Sequence, residues 1–154
     1  HGLSRRFRLF LAPRGLPGFD AVLGWAVGRP RLRRSPLLLG DAFVDRDLIA
    51  GDFDELFLQP LHRDRTRLAA AGRVLRSFEP RHVEGLAELH GRIDVPVQLV
   101  WGEQDAFFPV AWAHEMVDTF ADARLHVVPR AGLFSHEERP AEVAGALLPV
   151  LTGV

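Results

Sequence analysis

The chain has no cysteine, no tyrosine and no lysine: all 19 of its basic residues are arginine. Without cysteine there are no disulfides, no thiolate nucleophile and no Cys-ligated zinc, a composition that fits a cytoplasmic protein. Formal net charge is also nearly absent, at −1 over 154 residues. No overall field therefore draws the chain to nucleic acid or to an anionic membrane. No apolar run approaches the roughly 18 residues of a membrane-spanning helix. The opening His1-Gly2-Leu3-Ser4-Arg5-Arg6 is basic but lacks the apolar stretch of a secretory leader. A start without Met reads as a fragment or a processed product.

What is present is the balance of an ordinary globular protein, 47% hydrophobic and 25% charged. Two textures divide the chain near Gly91-Arg92, giving an expected helical region over 1–92 and a strand–helix region over 93–154. In the first, a short helix is expected from Phe19 to Val27, and Arg29-Pro30 and Ser35-Pro36 punctuate a loop. Asp45 is a candidate N-cap, and Ile49, Phe53, Leu56 and Phe57 share one helical face that ends at Pro60. Asp64 opens a further helix bearing Leu68, Ala71 and Leu75. Pro80 begins another, with Val83, Leu86, Ala87 and His90 on one face.

Beyond residue 93 the period changes. Val95 to Trp101 is a β-branched and aromatic run closed by Gly102. Val110, Ala113, Val117 and Phe120 mark an amphipathic helix opened near Pro109. Arg124 to Val128 is a second strand, and Pro140 opens a last helix with Val143, Leu147, Val150 and Leu151 on one face. This is the βαβ grammar of a parallel sheet, so the fold class is α/β. Two parallel strands need neighbours and cover that the sequence does not supply, so an exposed edge at Val97–Trp101 and a tendency to aggregate are expected.

Open parallel sheets put reactive groups in the loops after their strands. Here those loops offer Asp105 and His136, 31 positions apart in sequence. A buried carboxylate accepting the imidazole Nδ1–H would fix its tautomer and stabilise the imidazolium of a general base.

Val97-Gln98-Leu99-Val100-Trp101-Gly102-Glu103-Gln104-Asp105, then Pro109, Ala123 to Val128 and His136-Glu137-Glu138-Arg139-Pro140 resemble the C-terminal segment of the α/β-hydrolase family, in its haloalkane dehalogenase and epoxide hydrolase-like branch. The resemblance implies that Asp105 is the acid of a catalytic triad and that residues 1–92 are, more loosely, the family's helical cap. In most relatives the triad His lies seven residues before the Pro. That position is Leu133, and His136 follows three later. A helical turn there would return His136 to nearly the same face. The alternative is that Leu133 has replaced the base. The nucleophile elbow is missing: none of Ser4, Ser35, Ser77 and Ser135 lies in a Gly-x-Ser-x-Gly pattern. The expectation is a fragment of a hydrolase for a small apolar ester, alkyl halide or epoxide, inert alone, with a missing N-terminal half as a possible partner. The rival is a non-catalytic remnant or binding protein of the same fold. No cofactor is implied, and neither nucleic acid nor membrane is an expected partner.

Other signals are weaker. His114-Glu115 begins like a zinc-binding helix, but Asp118 stands where a second His belongs. His82 and His90, eight apart, could share a helix face. Glu103 reads as a solvated loop residue. The clusters Arg5, Arg6, Arg8 and Arg29, Arg31, Arg33, Arg34 read as a solvated surface. Trp25, Phe43, Phe53, Leu56, Phe57 and Leu58 read as mostly core, with a few free to line an apolar slot.

Overall fold

The computed structural model of the chain describes residues 3–36 and 38–152. His1 and Gly2, where the basic opening begins, lie outside the described residues. Ser4 starts the first helix, α1 (Arg5–Leu11), by accepting the Phe7 amide on its hydroxyl at 3.0 Å. A 3₁₀ turn over Ala12–Gly15 leads to α2 (Phe19–Val27), entered through Gly18 at φ 77° and matching the expected bounds. Between the two expected loop signals lies a four-residue helix, α3 (Pro30–Arg33).

The single helix expected from Asp45 to Pro60 is instead broken. Asp45 caps only a 3₁₀ turn, Arg46–Ala50, by accepting the Asp47 amide. At Gly51 the backbone leaves helical space (φ −97°, ψ −134°), so Ile49 and Phe53 do not belong to one helix. Pro60 does not stop the next helix either. A π turn over Asp54–Leu58 runs into α4 (Gln59–Arg63), and the Gln59 amide reaches back five residues to the Asp54 carbonyl. Pro60 has no amide for the Leu56 carbonyl and would crowd it in a regular α-helix; the wider π turn relieves both problems. The same shift leaves Leu56 66% exposed and Phe57 exposed, while Ile49, Phe53 and Leu58 are buried. Trp25, read as core, is also exposed, with the Arg29 guanidinium 3.9 Å from its ring centroid.

Asp64 caps α5 (Arg65–Ser77) as expected, accepting the Thr66 and Arg67 amides. The helix expected from Pro80 is split by Gly85, at φ 75°, into a 3₁₀ turn (Pro80–His82) and α6 (Leu86–His90). His82 and His90 consequently share no helix. His90 stacks on Phe120 at 4.2 Å and pairs with the Thr119 hydroxyl.

The second region follows the expected order: β1 (Val97–Gly102), α7 (Val110–Val117), β2 (Ala123–Val128), α8 (Ser135–Glu138) and α9 (Pro140–Thr152). The two strands are parallel and in register, Val97 opposite Ala123 and Gly102 opposite Val128. Among the described residues they form a two-stranded sheet, and α7 and α9 pack against both strands. Val143 on α9 is buried against Val128 and Ala131, with Val100 and Leu147 beside it. Val150 and Leu151, expected on the same buried face, are exposed.

The main core crosses the Gly91-Arg92 division. Val27, Ala42, Phe43, Ile49, Phe53 and Leu58 from the helical region share a cluster with Phe107 from the loop after β1. Phe134, after β2, stacks on Phe43 at 4.9 Å and tilts against Phe53 at 5.0 Å. The helical region is therefore packed directly on the loops that carry the candidate site. Arg33 lies within this packing, buried and bonded to the Asp54 carboxylate and the Val27 carbonyl. It is not part of a solvated surface, because a folded-in acid and a helix-end carbonyl receive its charge.

Candidate functional site

Two loops at the carboxyl ends of the paired strands build the site. Gly102 ends β1 where a side chain has no room: a Cβ would run into the carbonyl oxygens of Gly132 and Ala131. The loops are then tied by backbone bonds from Glu103 to Val128 (3.0 Å) and from Gln104 to Ala131 (2.9 Å). The Arg130 amide also donates to the Glu103 carboxylate at 3.2 Å, and Arg130 itself takes φ 54°. Glu103 is otherwise an exposed loop residue, as read from the sequence.

Asp105 sits in this junction, 8% exposed. Its Oδ1 accepts the amides of Phe107 (2.8 Å) and Phe108 (2.9 Å), an Asx-type turn that folds the loop under the carboxylate. Trp101 closes the turn from below, its indole N–H donating to the Phe108 carbonyl at 2.8 Å. Burial pushes the Asp105 carboxyl above its usual range, and the Phe108 and Phe107 amides offset that only in part. A cleft of about 170 Å³ opens beside it, lined by Val100, Trp101, Gly102, Asp105, Phe108, Leu133 and Ser135.

His136 does not reach this cleft. It lies on α8 with its side chain 59% exposed, and Nε2 stands 3.7 Å from Glu137 Oε1. No hydrogen bond among the described residues joins it to Asp105. The helical turn here begins at Ser135, two residues after Leu133. The three-residue equivalence of a helix face therefore does not apply between Leu133 and His136. Leu133 and Ser135 occupy the wall facing Asp105 instead.

One residue of the site was quoted in the sequence motif without a role. Glu138 is 9% exposed, and its carboxylate accepts three backbone amides: Val44 (2.8 Å) and Asp45 (2.9 Å) on Oε1, and Gly132 (2.6 Å) on Oε2. It clamps the helical region to the loop after β2. Gly132 needs to be glycine for the same reason, since a Cβ there would meet the Ala42 carbonyl at 2.6 Å. No group of three or more His, Asp or Glu suited to a metal ion occurs among the described residues, and no described helix is long and apolar enough to cross a membrane.

The chain belongs to the alpha/beta hydrolase family, whose sequence model matches residues 2–146. It is similar to the crystal structure of an alpha/beta hydrolase fold protein from Burkholderia ambifaria, with 25% identity and a TM-score of 0.65 over 96% of this chain and 52% of that one. It is also similar in fold to MGS-M2, an alpha/beta hydrolase enzyme from a Medee basin deep-sea metagenome library, at 20% identity and a TM-score of 0.66, covering 93% and 51% respectively. No curated protein matches the chain. The chain thus spans about half the length of the solved structures it resembles.

Proposed function

We propose that this chain is the cap and acid-bearing portion of a hydrolase acting on a small apolar ester, alkyl halide or epoxide, and that by itself it does not turn over substrate. The observation that carries this reading is the Asp105 carboxylate, buried at the end of a parallel strand and open on one side to a cleft. The cleft's lining of Val100, Trp101, Phe108 and Leu133 supports an apolar substrate. In the parent enzyme a Ser or Asp nucleophile, supplied outside these residues, would attack. An imidazole oriented by Asp105 would activate the Ser hydroxyl or the hydrolytic water. His136 is the candidate for that imidazole, and the 133–136 segment must rearrange to bring its ring to Asp105. A first half of the sheet, in the same or a separate polypeptide, is the proposed partner for β1.

Leu133 on the cleft wall, with His136 turned outward, favours a second reading: a non-catalytic remnant or binding protein of the same fold. Two experiments separate these. The purified chain should hydrolyse p-nitrophenyl acetate no faster than buffer; turnover abolished by His136→Ala would overturn the claim of inertness and the second reading together. The DNA preceding the codon for His1 should encode Gly-x-Ser-x-Gly or Gly-x-Asp-x-Gly in frame if a working parent exists. A stop codon or unrelated sequence there would favour the remnant.

A further inference from the structure

Inside the helical region lies a cavity of about 100 Å³ that shares no lining residue with the cleft at Asp105. Leu11, 2% exposed, forms its floor, Phe10 and Leu23 stand in its walls, and the exposed Pro13 and Val22 mark its rim. Phe10 also meets the buried Phe107 edge-to-face at 5.9 Å, which fixes that wall against the main core.

Arg14 is the one polar side chain in this lining. Its Nη1 donates to the Leu11 carbonyl at 3.0 Å, which holds the guanidinium at the floor residue. The other edge of the fork, Nε–H and Nη2–H, meets no hydrogen-bond acceptor among the described residues, and no carboxylate pairs with Arg14 there. Other arginines of the region are neutralised: Arg6 pairs with Asp41, Arg33 with Asp54 and Arg34 with Asp47. Asp20, the one acid among residues 1–40, is held by Arg76 through bonds of 2.5 and 3.1 Å. Those residues carry eight arginines, so the local charge around the cavity is positive although the chain as a whole is nearly neutral.

This combination specifies an amphipathic anion. A free Nε/Nη2 edge offers two parallel N–H groups at the spacing of a carboxylate's oxygens. The cavity sets the tail: a dry apolar cavity of about 150 Å³ accepts benzene, so one of about 100 Å³ accepts a tail of about three or four carbons. We propose that the cavity binds a short-chain aliphatic carboxylate, with its tail among Phe10, Leu11 and Leu23 and its carboxylate on the free edge of Arg14. The site is separate from Asp105 and does not depend on which reading of that cleft holds.

The test is an NMR titration of the full chain with butyrate near neutral pH, with sodium chloride exchanged for sodium butyrate so that screening stays constant. Saturable shifts are expected at the Leu23 and Ala26 amides and at the Arg14 Nε–H. Arg14→Gln should weaken binding about tenfold or more, the scale of one charge-assisted bond, and butyramide, with the same tail and no charge, should bind weaker than butyrate by a similar factor. Ala26→Leu keeps the guanidinium but fills the cavity, and should abolish the shifts. Asp105→Asn should bind butyrate as the unmodified chain does. The absence of saturable shifts, equal affinity for butyramide, or unchanged affinity in Arg14→Gln or Ala26→Leu would overturn the proposal. Loss of binding in Asp105→Asn would also overturn it, by placing the anion's effect at the other cleft.

Discussion

Truncating Glu138 to Ala should loosen the junction between the helical region and the site loops. The carboxylate accepts the Val44, Asp45 and Gly132 amides at 2.8, 2.9 and 2.6 Å with 9% exposure. A hydrogen bond to a charged group contributes roughly 1.5–3 kcal/mol, and each buried amide left bare costs about 1–3 kcal/mol. The three bonds share one acceptor group, so their losses do not add fully, and water can enter part of the space. The expected cost is about 4 kcal/mol, a large share of the ~5–15 kcal/mol that holds a domain together. In a chain of this size that corresponds to a fall in Tm of ~8–16 °C. Glu138→Gln is a sharper probe, because its oxygen can keep one side of the clamp while its NH₂ opposes an N–H on the other. About 2 kcal/mol is expected for it. Urea unfolding followed by far-UV circular dichroism gives the energy, and amide hydrogen exchange at Val44, Asp45 and Gly132 gives the location. A loss in Glu138→Ala below about 1 kcal/mol, with those three amides still protected, would refute the clamp.

Further outcomes follow from the same packing. Asp105→Asn should stabilise the chain near neutral pH, because burial raises the folded-state carboxyl above its unfolded value. The acid's contribution is present below the unfolded value and lost as pH rises through the folded one, so thermal melts of the two proteins should converge in acid and separate toward neutrality. Gly102→Ala drives a methyl into the Gly132 and Ala131 carbonyls and should cost at least about 2 kcal/mol in urea unfolding, the scale of an overpacked core. Arg33→Ala strips the buried guanidinium from Asp54 and the Val27 carbonyl and should cost about 3 kcal/mol. Exposed Arg31→Ala in the same cluster should stay within about 0.5 kcal/mol by the same assay.

Features set by neighbours in sequence were legible. The Asp64 cap, α2 from Phe19 to Val27, both strands and the glycine closing β1 are local signals, and the structure places each near where the pattern does. Hydrophobic spacing misled where a glycine or proline redirected the backbone: Gly51 and the π turn before Pro60 changed which of Ile49, Phe53, Leu56 and Phe57 are covered, and Gly85 split the helix after Pro80. Long-range partners were invisible. Arg33 is buried because Asp54 lies across from it, and the amides bound by Glu138 in the helical region are 93 and 94 positions away. For His136, the start of α8 at Ser135, two residues beyond Leu133, carries no local signal in the sequence.

The central claim is that Asp105 opens on a cleft that the chain's own imidazole does not occupy. The ring resonances of His136, compared between the unmodified chain and Asp105→Asn, test it most directly. Superimposable ring shifts across the pH range are the predicted result, since the side chain is exposed beside Glu137 and shares no hydrogen bond with Asp105. A displaced His136 ring in Asp105→Asn, with the other histidines unmoved, would place the imidazole against the acid and contradict the account.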